Sequence, residues 1–306
     1  MSFALPHIEG VLAAALAEDL GVPAERILGG VAGPELLDRD VTSAAVVPAG
    51  ARFAGTVACR EEGVVCGLPA VERLYAMLCA AVDEPGAVEV FPLVAEGATL
   101  APGTRVAEVE GPARIVLAGE RTALNLLMTL SGIATRASQW QRAAGPELAV
   151  VDTRKTLPGL RALSKYAVRV GGASNHRVGL FDMVLVKDNH VRYAGGVANA
   201  VRLAREAHPD LAVEIEADTV EQAAEAASAG ADIVLLDNMD DPTLEAAHAA
   251  VKEAARTAGH VTLTEASGGI GPDRLPALRR IGVDRVSSSA ISLAPPLDFG
   301  LDEVNR

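Results

Sequence analysis

The sequence predicts an α/β protein whose C-terminal half forms an incomplete parallel α/β barrel. From residue 148 onward, short apolar runs alternate with helical patterns, and a polar residue ends each run. These polar residues lie 21 to 35 residues apart, which is the usual length of one strand–helix unit. Six units are visible, whereas a closed barrel of this kind has about eight, so we expect an open barrel. The 306 residues leave room for a second domain before it.

The first half of the chain reads as a mixture of helices and short strands. Apolar residues recur at helical spacing near the start, and a stretch rich in Gly and Pro follows. The letters EGATLAPGTRVAEVEG then show the alternation and the turn residues of short strands. In chain order we expect a helix at 5–20, a loop at 21–37, strands at 53–59 and 63–66, a helix at 70–82, short strands between 87 and 116, and a helix at 119–142.

The elements of the barrel follow from the alternation of apolar runs and helical patterns. The expected strands are 148–151, 184–186, 212–215, 233–236, 261–264 and 285–286. The expected helices between them are 160–170, 197–207, 220–229, 244–258 and 272–281. In such barrels the C-terminal ends of the strands and the loops after them form a rim that carries the chemistry. One acidic residue after a strand could merely cap the next helix, but six polar strand ends in succession indicate a shared ligand site.

Composition and charge exclude several classes of protein. Half of the residues are hydrophobic and 22% are charged, which is globular composition. The net charge of −13 argues against a general nucleic-acid surface. No apolar run approaches the roughly 18 residues of a membrane span, and no basic region precedes the first apolar run, so we expect a cytoplasmic protein. Three cysteines without a C-x-x-C pair predict neither a disulfide framework nor a structural zinc site.

Positive charge is concentrated in one segment of this acidic chain. Residues 152–190 contain seven Lys or Arg against three Asp, and three of the four lysines of the chain lie there. The ammonium group of Lys is a compact point charge, whereas the guanidinium of Arg is a planar fork. In a chain that uses Arg for most positive charges, a lysine can therefore mark a position whose function Arg cannot perform. The segment indicates an anionic small ligand. The alternative is a solvated helix face.

The residues at the predicted rim suit carboxylates and phosphates. Arg154 and Lys155 stand side by side after the first barrel strand, and His176–Arg177 and Lys187 follow. An Arg fork binds a carboxylate bidentately, and Lys suits a phosphate or pyrophosphate. His176 is either a packed histidine or a catalytic one, and His190 is either a base or a residue that orients its loop.

Acidic and glycine-rich strand ends add a second kind of ligand site. Glu216 and Asp237 end later strands, where two carboxylates could hold Mg²⁺ together with phosphate oxygens, or bind sugar hydroxyls directly. Residues 267–271, Ser-Gly-Gly-Ile-Gly, precede a predicted helix near Pro272. Backbone N–H groups at such a helix start form a phosphate site, and the loops after late strands are the usual place for one in these barrels.

Taken together, these motifs resemble those of the quinolinate phosphoribosyltransferases, the carboxylating nicotinate-nucleotide pyrophosphorylases. The most specific block is DTRKTLPGLRALSKYAVRVGGASNHRVGLFDMVLVKDNH at 152–190. The resemblance covers nearly the whole chain and includes five further blocks: REEGVVCGL at 60–68, GERTALNLLMTLSGIAT at 119–135, EIEADT at 214–219, LLDN at 235–238 and TEASGGI at 264–270.

The resemblance implies a reaction and an architecture. Quinolinate and phosphoribosyl pyrophosphate would give nicotinate mononucleotide, pyrophosphate and CO₂ with Mg²⁺, in de novo NAD biosynthesis. The implied fold is an N-terminal α/β sandwich domain (1–130) and an open α/β barrel domain (131–290), with a tail (291–306) packing back on the N-terminal domain. The implied assembly is a homodimer, or a higher oligomer built from it, in which each N-terminal domain covers the barrel mouth of the other subunit.

The resemblance also assigns a role to individual residues. Arg121 would reach quinolinate from the partner subunit, while Arg154, His176 and Arg177 would hold its two carboxylates. Lys155 and Lys187 would act between quinolinate and the pyrophosphate of the donor. The remaining implied ligands are Glu216 and Asp237 for ribose hydroxyls and Mg²⁺, and Ser267, Gly268 and Gly269 for the 5′-phosphate.

Two features depart from the family pattern. The family usually has Gly-Ala-Leu-Thr-His near the last barrel strand, and this chain has Ser289-Ala290-Ile291-Ser292-Leu293. Hydroxyl groups at residues 287, 288 and 289, all serines, would then replace the missing backbone contact to the 5′-phosphate. The segment 21–39 is also longer than the usual link.

Three other interpretations stay open at this point. A relative with the same fold and another base, such as the pyrophosphorylase of molybdate operons, would share most of these motifs. A Schiff-base aldolase would use Lys187 at its strand end. A barrel without catalytic activity would serve as a binding or scaffold protein.

Overall fold

The structure is a computed structural model that describes residues 4–30 and 32–304. The chain folds into two compact units. The N-terminal unit comprises residues 4–30, 32–136, 157–171 and 293–304, and the barrel unit comprises residues 137–156 and 172–292. Compared with the expected limits, residues 131–136 and 157–171 group with the N-terminal unit, and residues 291–292 group with the barrel unit.

The N-terminal unit contains six helices and two short sheets within the described residues. Its helices are α1 (Glu9–Leu20), α2 (Ala24–Leu28), α3 (Val41–Val46), α4 (Leu68–Ala81), α5 (Ala113–Ala144, of which residues 137–144 belong to the barrel unit) and α6 (Arg161–Val170). Its strands are β1 (Arg52–Cys59), β2 (Gly63–Val64), β3 (Glu89–Pro92), β4 (Thr99–Leu100), β5 (Arg105–Pro112) and β12 (Phe299–Glu303).

The main sheet of this unit is antiparallel, with the strand order β12-β1-β5-β3, and β2 pairs with β4. β12 lies at one edge of the sheet, where Gly55 of β1 pairs with Glu303 and Cys59 with Phe299. The interior side of α4 is formed by Leu74, Tyr75 and Leu78, which are almost completely buried. The unit therefore combines a helical layer with an antiparallel sheet, as an α/β sandwich requires.

Two expectations for the N-terminal unit were wrong in detail. The segment predicted as a loop at 21–37 contains α2 and a 3₁₀ helix at Pro34–Arg39. Pro23 and Pro34 stand at the starts of these helices, where proline is compatible with helical backbone, so they do not mark a loop. The long helix α5 begins at Ala113, six residues before its predicted start, because its first apolar residues read equally well as a strand.

The barrel unit is built on six parallel strands. They are β6 (Ala149–Val151), β7 (Val184–Val186), β8 (Val213–Ala217), β9 (Ile233–Asp237), β10 (Leu263–Ser267) and β11 (Arg285–Ser287). The sheet order is β6-β11-β10-β9-β8-β7, so the first strand pairs with the last and β6 and β7 form the two edges. An isolated bridge from Val151 to Ser174 continues the sheet beyond β6. The prediction of an α/β fold with an open, incomplete barrel is confirmed.

Five helices belong to the barrel unit: α7 (Asp188–Ala194), α8 (Val197–Ala207), α9 (Val220–Ser228), α10 (Asp241–Ala258) and α11 (Leu275–Ile281). From α8 to α11 each helix packs against the next. The buried positions of the central helices are mostly alanine, which lets helices approach the strands closely. Of these helices only α7 was not predicted; it follows β7 directly.

Candidate active site

A cavity of about 190 Å³ opens at the C-terminal ends of the barrel strands. Its wall includes side chains from the loops after β6 and β7 and from the ends of β10 and β11. Six of the residues predicted for the site line it: Arg154, Lys155, His176, Arg177, Lys187 and Ser267. The structure thus brings four of the seven Lys and Arg residues of segment 152–190 together around one concave surface, while Arg161, Lys165 and Arg169 lie in α6 of the N-terminal unit.

Asp152, at the end of β6, holds the loop that carries the site. Its carboxylate accepts a hydrogen bond from the backbone N–H of His176 over 2.8 Å and another from Nδ2 of Asn175 over 3.0 Å. The side chain is completely buried. A buried carboxylate that accepts two hydrogen bonds fixes the backbone that donates them, so Asp152 places His176 and Arg177 at the cavity.

His176 is enclosed by protein groups on both ring nitrogens. Nδ1 accepts the backbone N–H of Arg177 over 2.8 Å. Nε2 lies 3.0 Å from Oε2 of Glu214 and 3.6 Å from Oε1 of Glu265. Since Nδ1 acts as an acceptor, the ring carries its proton on Nε2. The ring therefore joins the rim to the strands below it.

Arg154 and Arg177 form a like-charged pair at the cavity. Nε of Arg154 is buried and has no hydrogen-bond partner among the described residues. Burial, followed by the positive charge of Arg154, lowers the pKa of the Arg177 guanidinium. An anion between the two guanidinium groups would remove the repulsion and satisfy the buried donor.

Lys187 projects from the end of β7 toward a carboxylate. Its Nζ lies 3.0 Å from Oε2 of Glu216, whose side chain is 14% exposed. Its backbone N–H donates to Nδ1 of His190 over 2.9 Å at the start of α7. His190 thus contacts the backbone at the start of its own loop, which is consistent with the orienting role considered for it. Lys155 is exposed, and its backbone N–H donates to Oγ1 of Thr153 over 3.0 Å.

The loops after β9 and β10 lie against each other. Asp237 ends β9, and its Oδ2 accepts a hydrogen bond from Nδ2 of Asn238 over 2.5 Å. Gly268 follows β10 at φ +90°, and a Cβ there would overlap Oδ1 of Asn238. Gly269 has φ +58° and open space around it. The next element is a 3₁₀ helix at Pro272–Arg274, with α11 after it, so the expected α-helix near Pro272 begins as a tighter turn.

The last strand places its serines in different surroundings. Ser287 ends β11, is nearly buried and lines the cavity. The backbone N–H of Ser288 donates to the carbonyl of Val151 over 3.2 Å, and its Oγ accepts the N–H of Ala290. Ser289 is half-buried. Leu293, at the position of the usual family histidine, is 54% exposed and belongs to the N-terminal unit.

Arg121 belongs to α5 in the N-terminal unit, and its side chain is exposed. A cavity of about 270 Å³ on the same unit is lined by apolar and polar residues in equal number, among them Thr122, which follows Arg121 in the chain. Arg121 has no hydrogen bond or ion pair within residues 4–30 and 32–304. Its guanidinium is therefore exposed and unpaired within the described residues.

Three charged residues at the base of the cavity had no role assigned from the sequence. Glu214 and Glu265 are fully buried, and Arg285 contacts both, with Nε on Oε2 of Glu265 and Nη2 3.7 Å from Oε2 of Glu214. Each lies two residues before a polar strand end, namely Glu216, Ser267 and Ser287. Because side chains alternate along a strand, both members of each pair face the same way. This alternation is the signal that could have found them.

The fold and the cavity define the class of this protein: a parallel α/β-barrel enzyme that binds anionic ligands at the C-terminal ends of its strands. Comparisons with known proteins identify the family. The family described as quinolinate phosphoribosyl transferase, C-terminal domain, matches residues 133–302, and its N-terminal domain counterpart matches residues 40–131. The chain belongs to the quinolinate phosphoribosyl transferase family.

Individual relatives support this assignment over most of the chain. A probable nicotinate-nucleotide pyrophosphorylase [carboxylating] of Synechocystis is 42% identical over 250 residues, 81% of each chain. The enzyme of that name from Mycobacterium leprae is 40% identical over 268 residues, 86% of this chain and 90% of its own. The crystal structure of NadC from Streptococcus pyogenes covers 100% of both chains with 32% identity and a TM-score of 0.84.

These findings confirm the predicted family and, with it, a phosphoribosyltransferase acting in NAD biosynthesis. They also disfavour an aldolase, which would belong to a different family. No helix in the described ranges is long and apolar enough to cross a bilayer.

Proposed function

We propose that the cavity binds quinolinate between Arg154 and Arg177 and transfers a phosphoribosyl group to its ring nitrogen, with loss of the 2-carboxylate as CO₂. The observation that carries the proposal is the Arg154–Arg177 pair, which combines a buried unpartnered N–H with like-charge repulsion. A planar dicarboxylate supplies two anionic groups in fixed directions, which suits two guanidinium forks.

The donor, phosphoribosyl pyrophosphate, would lie across the later strand ends. Ser267, Gly268 and Gly269 would contact its 5′-phosphate, with the hydroxyl groups of Ser288 and Ser289 assisting. Support comes from the positive φ of both glycines and from the close approach of Asn238 at Gly268, which together turn the backbone sharply after β10.

Mg²⁺ would be held by Glu216 and Asp237, directly or through water. The residues fit this ion because both are carboxylates at the C-terminal ends of the neighbouring strands β8 and β9, and both are only partly exposed. Carboxylate oxygens with substrate phosphates form the usual Mg²⁺ shell. When bound, the ion would neutralise charge on the pyrophosphate.

The residues of the chain then account for the reaction. Lys155 and Lys187 stabilise the negative charge that develops on the leaving pyrophosphate. Arg154 and Arg177 hold the ring so that its nitrogen faces C1′ of the ribose. After attack the ring nitrogen is positive and draws electrons from the neighbouring carbon, so the 2-carboxylate can leave. No covalent intermediate with the protein is required.

We further propose a cytoplasmic homodimer in which Arg121 reaches quinolinate in the partner subunit. Support comes from the exposed guanidinium, which has no hydrogen bond or ion pair among the described residues, and from a depression of mixed apolar and polar lining on the same unit. Subunit interfaces commonly combine apolar area with charged side chains at the rim. Mixing Arg121→Ala and Lys187→Met proteins should restore activity through one intact site per mixed dimer.

The test of the function is product formation by the purified protein. Quinolinate, phosphoribosyl pyrophosphate and Mg²⁺ are mixed with it, and nicotinate mononucleotide is followed by chromatography. Nicotinate, nicotinamide and other pyridine and pyrimidine bases run in parallel. Product from quinolinate alone supports the proposal, and product from a different base points to the relative with another specificity.

Binding measurements complete the test if no base gives product. Quinolinate binding without turnover would support a scaffold role and contradict the proposed activity. The Arg177→Lys variant serves as the matched probe of the pair, because it keeps the charge and removes the fork. We expect its KM for quinolinate to rise by about 10- to 100-fold.

A further inference from the structure

The strands below the cavity carry a buried charged cluster that the reaction scheme above does not use. It consists of His176, Glu214, Glu265 and Arg285, named here the floor cluster. The two glutamates are completely buried and His176 is 8% exposed. Oε1 of Glu214 and Oε1 of Glu265 have no hydrogen-bond partner within the described residues, and Oε2 of Glu214 faces Nε2 of His176 at 3.0 Å. Two unpartnered buried oxygens in one place require an explanation.

The floor cluster holds more carboxylates than fixed positive charges. Arg285 supplies one guanidinium for Glu214 and Glu265, and Glu214 also interacts electrostatically with Arg177. Nδ1 of His176 accepts the N–H of Arg177, so the ring offers its other nitrogen to the carboxylates. Burial of two neighbouring carboxyl groups favours uptake of a proton by one of them.

Glu265 is the glutamate of the cluster that lines the cavity, and its pKa is raised. Burial, followed by the negative charge of Glu214, raises the pKa of Glu265, and this outweighs the lowering by Arg285, His176 and Ser287. These groups come from β8, β11 and the loop after β6. Arg285 contacts the carboxylates of both glutamates.

Glu265 also forms part of the cavity wall, together with Arg154, Arg177 and Ser287. The wall thus contains a buried carboxyl group of raised pKa beside the guanidinium pair that would hold the substrate carboxylates. A buried carboxyl group of raised pKa is the kind of group that acts as a general acid.

The proposed reaction requires a proton at that carbon. When the bond between ring carbon 2 and its carboxylate breaks, CO₂ leaves and the electron pair stays on carbon 2. Nicotinate mononucleotide carries hydrogen there, so one proton must be delivered. We propose that Glu265 is the general acid that protonates carbon 2 after CO₂ leaves, an inference that rests on the proposed function.

The step balances within the site and solvent. The O–H bond of Glu265 breaks, its electron pair stays on the carboxylate, and a C–H bond forms with the pair left by CO₂. Arg285 and His176 stabilise the resulting second negative charge. Water returns a proton to Glu265 after product release.

The experiment compares wild type with Glu265→Gln, which keeps the shape and removes the acid. We expect kcat to fall by about 10²- to 10³-fold, with the KM for quinolinate nearly unchanged. We also expect the long-lived carbanion to recapture CO₂, so ¹³C-labelled bicarbonate should enter the quenched pyridine pool that still carries two carboxyl groups. Glu253→Gln, the same change on an exposed ion pair of α10, is the matched control and should behave as wild type.

A second measurement does not depend on turnover. Infrared difference spectra of wild type minus Glu265→Gln at neutral pH should contain the C=O stretch of an un-ionised carboxyl group. If the Gln variant fails to fold, Glu265→Asp replaces it, and the band should shift with the shorter side chain. Absence of the band, or a kcat of the Gln variant close to wild type without ¹³C exchange, overturns the proposal. A wild type that forms no product while the band is present contradicts the proposed function instead.

Discussion

The backbone N–H of Arg177 donates a hydrogen bond to Nδ1 of His176 over 2.8 Å, while Nε2 of the same ring faces Glu214 at 3.0 Å. The imidazole thus connects the backbone of a proposed substrate-binding arginine to a carboxylate buried in the barrel. The family resemblance had given His176 a direct contact with a substrate carboxylate. In the structure its two nitrogens face protein groups, so we infer that it positions Arg177.

Two substitutions at His176 should separate its two contacts. His176→Asn keeps an acceptor for the Arg177 N–H and loses the contact with Glu214. His176→Gln keeps a donor toward Glu214 and loses the acceptor. Because one hydrogen bond contributes about 0.5–1.5 kcal/mol net, we expect the Gln variant to have a several-fold higher KM for quinolinate. The Asn variant should instead unfold at lower temperature. Equal changes of the same parameter in both variants would contradict this assignment.

Replacement of Lys187 should affect chemistry more than binding of quinolinate. Lys187→Met removes the ammonium group that lies 3.0 Å from Glu216. Loss of one preorganised electrostatic contact to developing charge lowers kcat by about 10²- to 10³-fold, and we expect a KM for quinolinate within about threefold of wild type. Lys155→Met should behave alike. Steady-state kinetics measure both parameters. Equal effects on kcat and on quinolinate binding would refute the proposal that these lysines stabilise the leaving pyrophosphate.

The two glycines after β10 offer a matched pair of alanine substitutions. At Gly268 a Cβ would overlap Oδ1 of Asn238, whereas at Gly269 it would meet open space. Both have positive φ, which costs about 1–2 kcal/mol for a residue with a Cβ. Gly268→Ala should therefore displace the loop and raise the KM for phosphoribosyl pyrophosphate, while Gly269→Ala should lower stability with a smaller effect on that KM. Similar KM values for the two variants would exclude the steric explanation.

A partly buried ion pair on the barrel unit should make its stability depend on pH. Nζ of Lys252 lies 2.7 Å from Oδ2 of Asp284, which also accepts the N–H and the hydroxyl of Thr264. Burial raises the pKa of Asp284. The hydrogen bonds from Lys252 and Thr264 lower it by more than burial raises it, so the pKa of Asp284 is below its ordinary value. Because the pKa of Asp284 is lower in the folded than in the unfolded chain, its ionised form stabilises the fold at pH values above the unfolded-state pKa of about 3.9. This contribution is lost as the pH falls below that value.

Asp284→Asn should remove this dependence. We expect a loss of about 2 kcal/mol at neutral pH, because charged hydrogen bonds contribute about 1.5–3 kcal/mol. The difference from wild type should shrink as the pH falls below about 4. Urea unfolding at several pH values measures both. Glu253→Gln, on the exposed pair with Arg256, should give no measurable change, and a constant difference for Asp284→Asn at all pH values would argue against the ion pair.

The order of strands and helices in the barrel could be predicted from the sequence because each strand–helix unit repeats the same local pattern. The six strands and the cationic residues of the cavity followed from apolar runs ending in polar residues. The same rule misplaced Glu265, which lies in the middle of β10, since the strand continues through Ala266 to Ser267. A charged residue is assumed to end a strand, and only the tertiary partners Arg285 and His176 explain why this one stays inside.

The placement of α6 could not be predicted for a related reason. Its spacing in the chain is that of a barrel helix, yet the hydroxyl of Tyr166 donates to Oε1 of Glu96 over 2.9 Å in the N-terminal unit. Glu96 also accepts the N–H groups of Gly67 and Leu68 at the start of α4. A contact between residues 70 positions apart leaves no signal in local periodicity.

The position of β12 at the edge of the N-terminal sheet has a consequence for biosynthesis. β1 is made early, but its partner along that edge follows the entire barrel unit in the chain. On the ribosome, β1 therefore presents unpaired N–H and C=O groups until residues 299–303 emerge. At about 5–20 residues per second, this interval lasts more than ten seconds. A nascent chain of this protein thus exposes one unpaired strand edge throughout most of its translation.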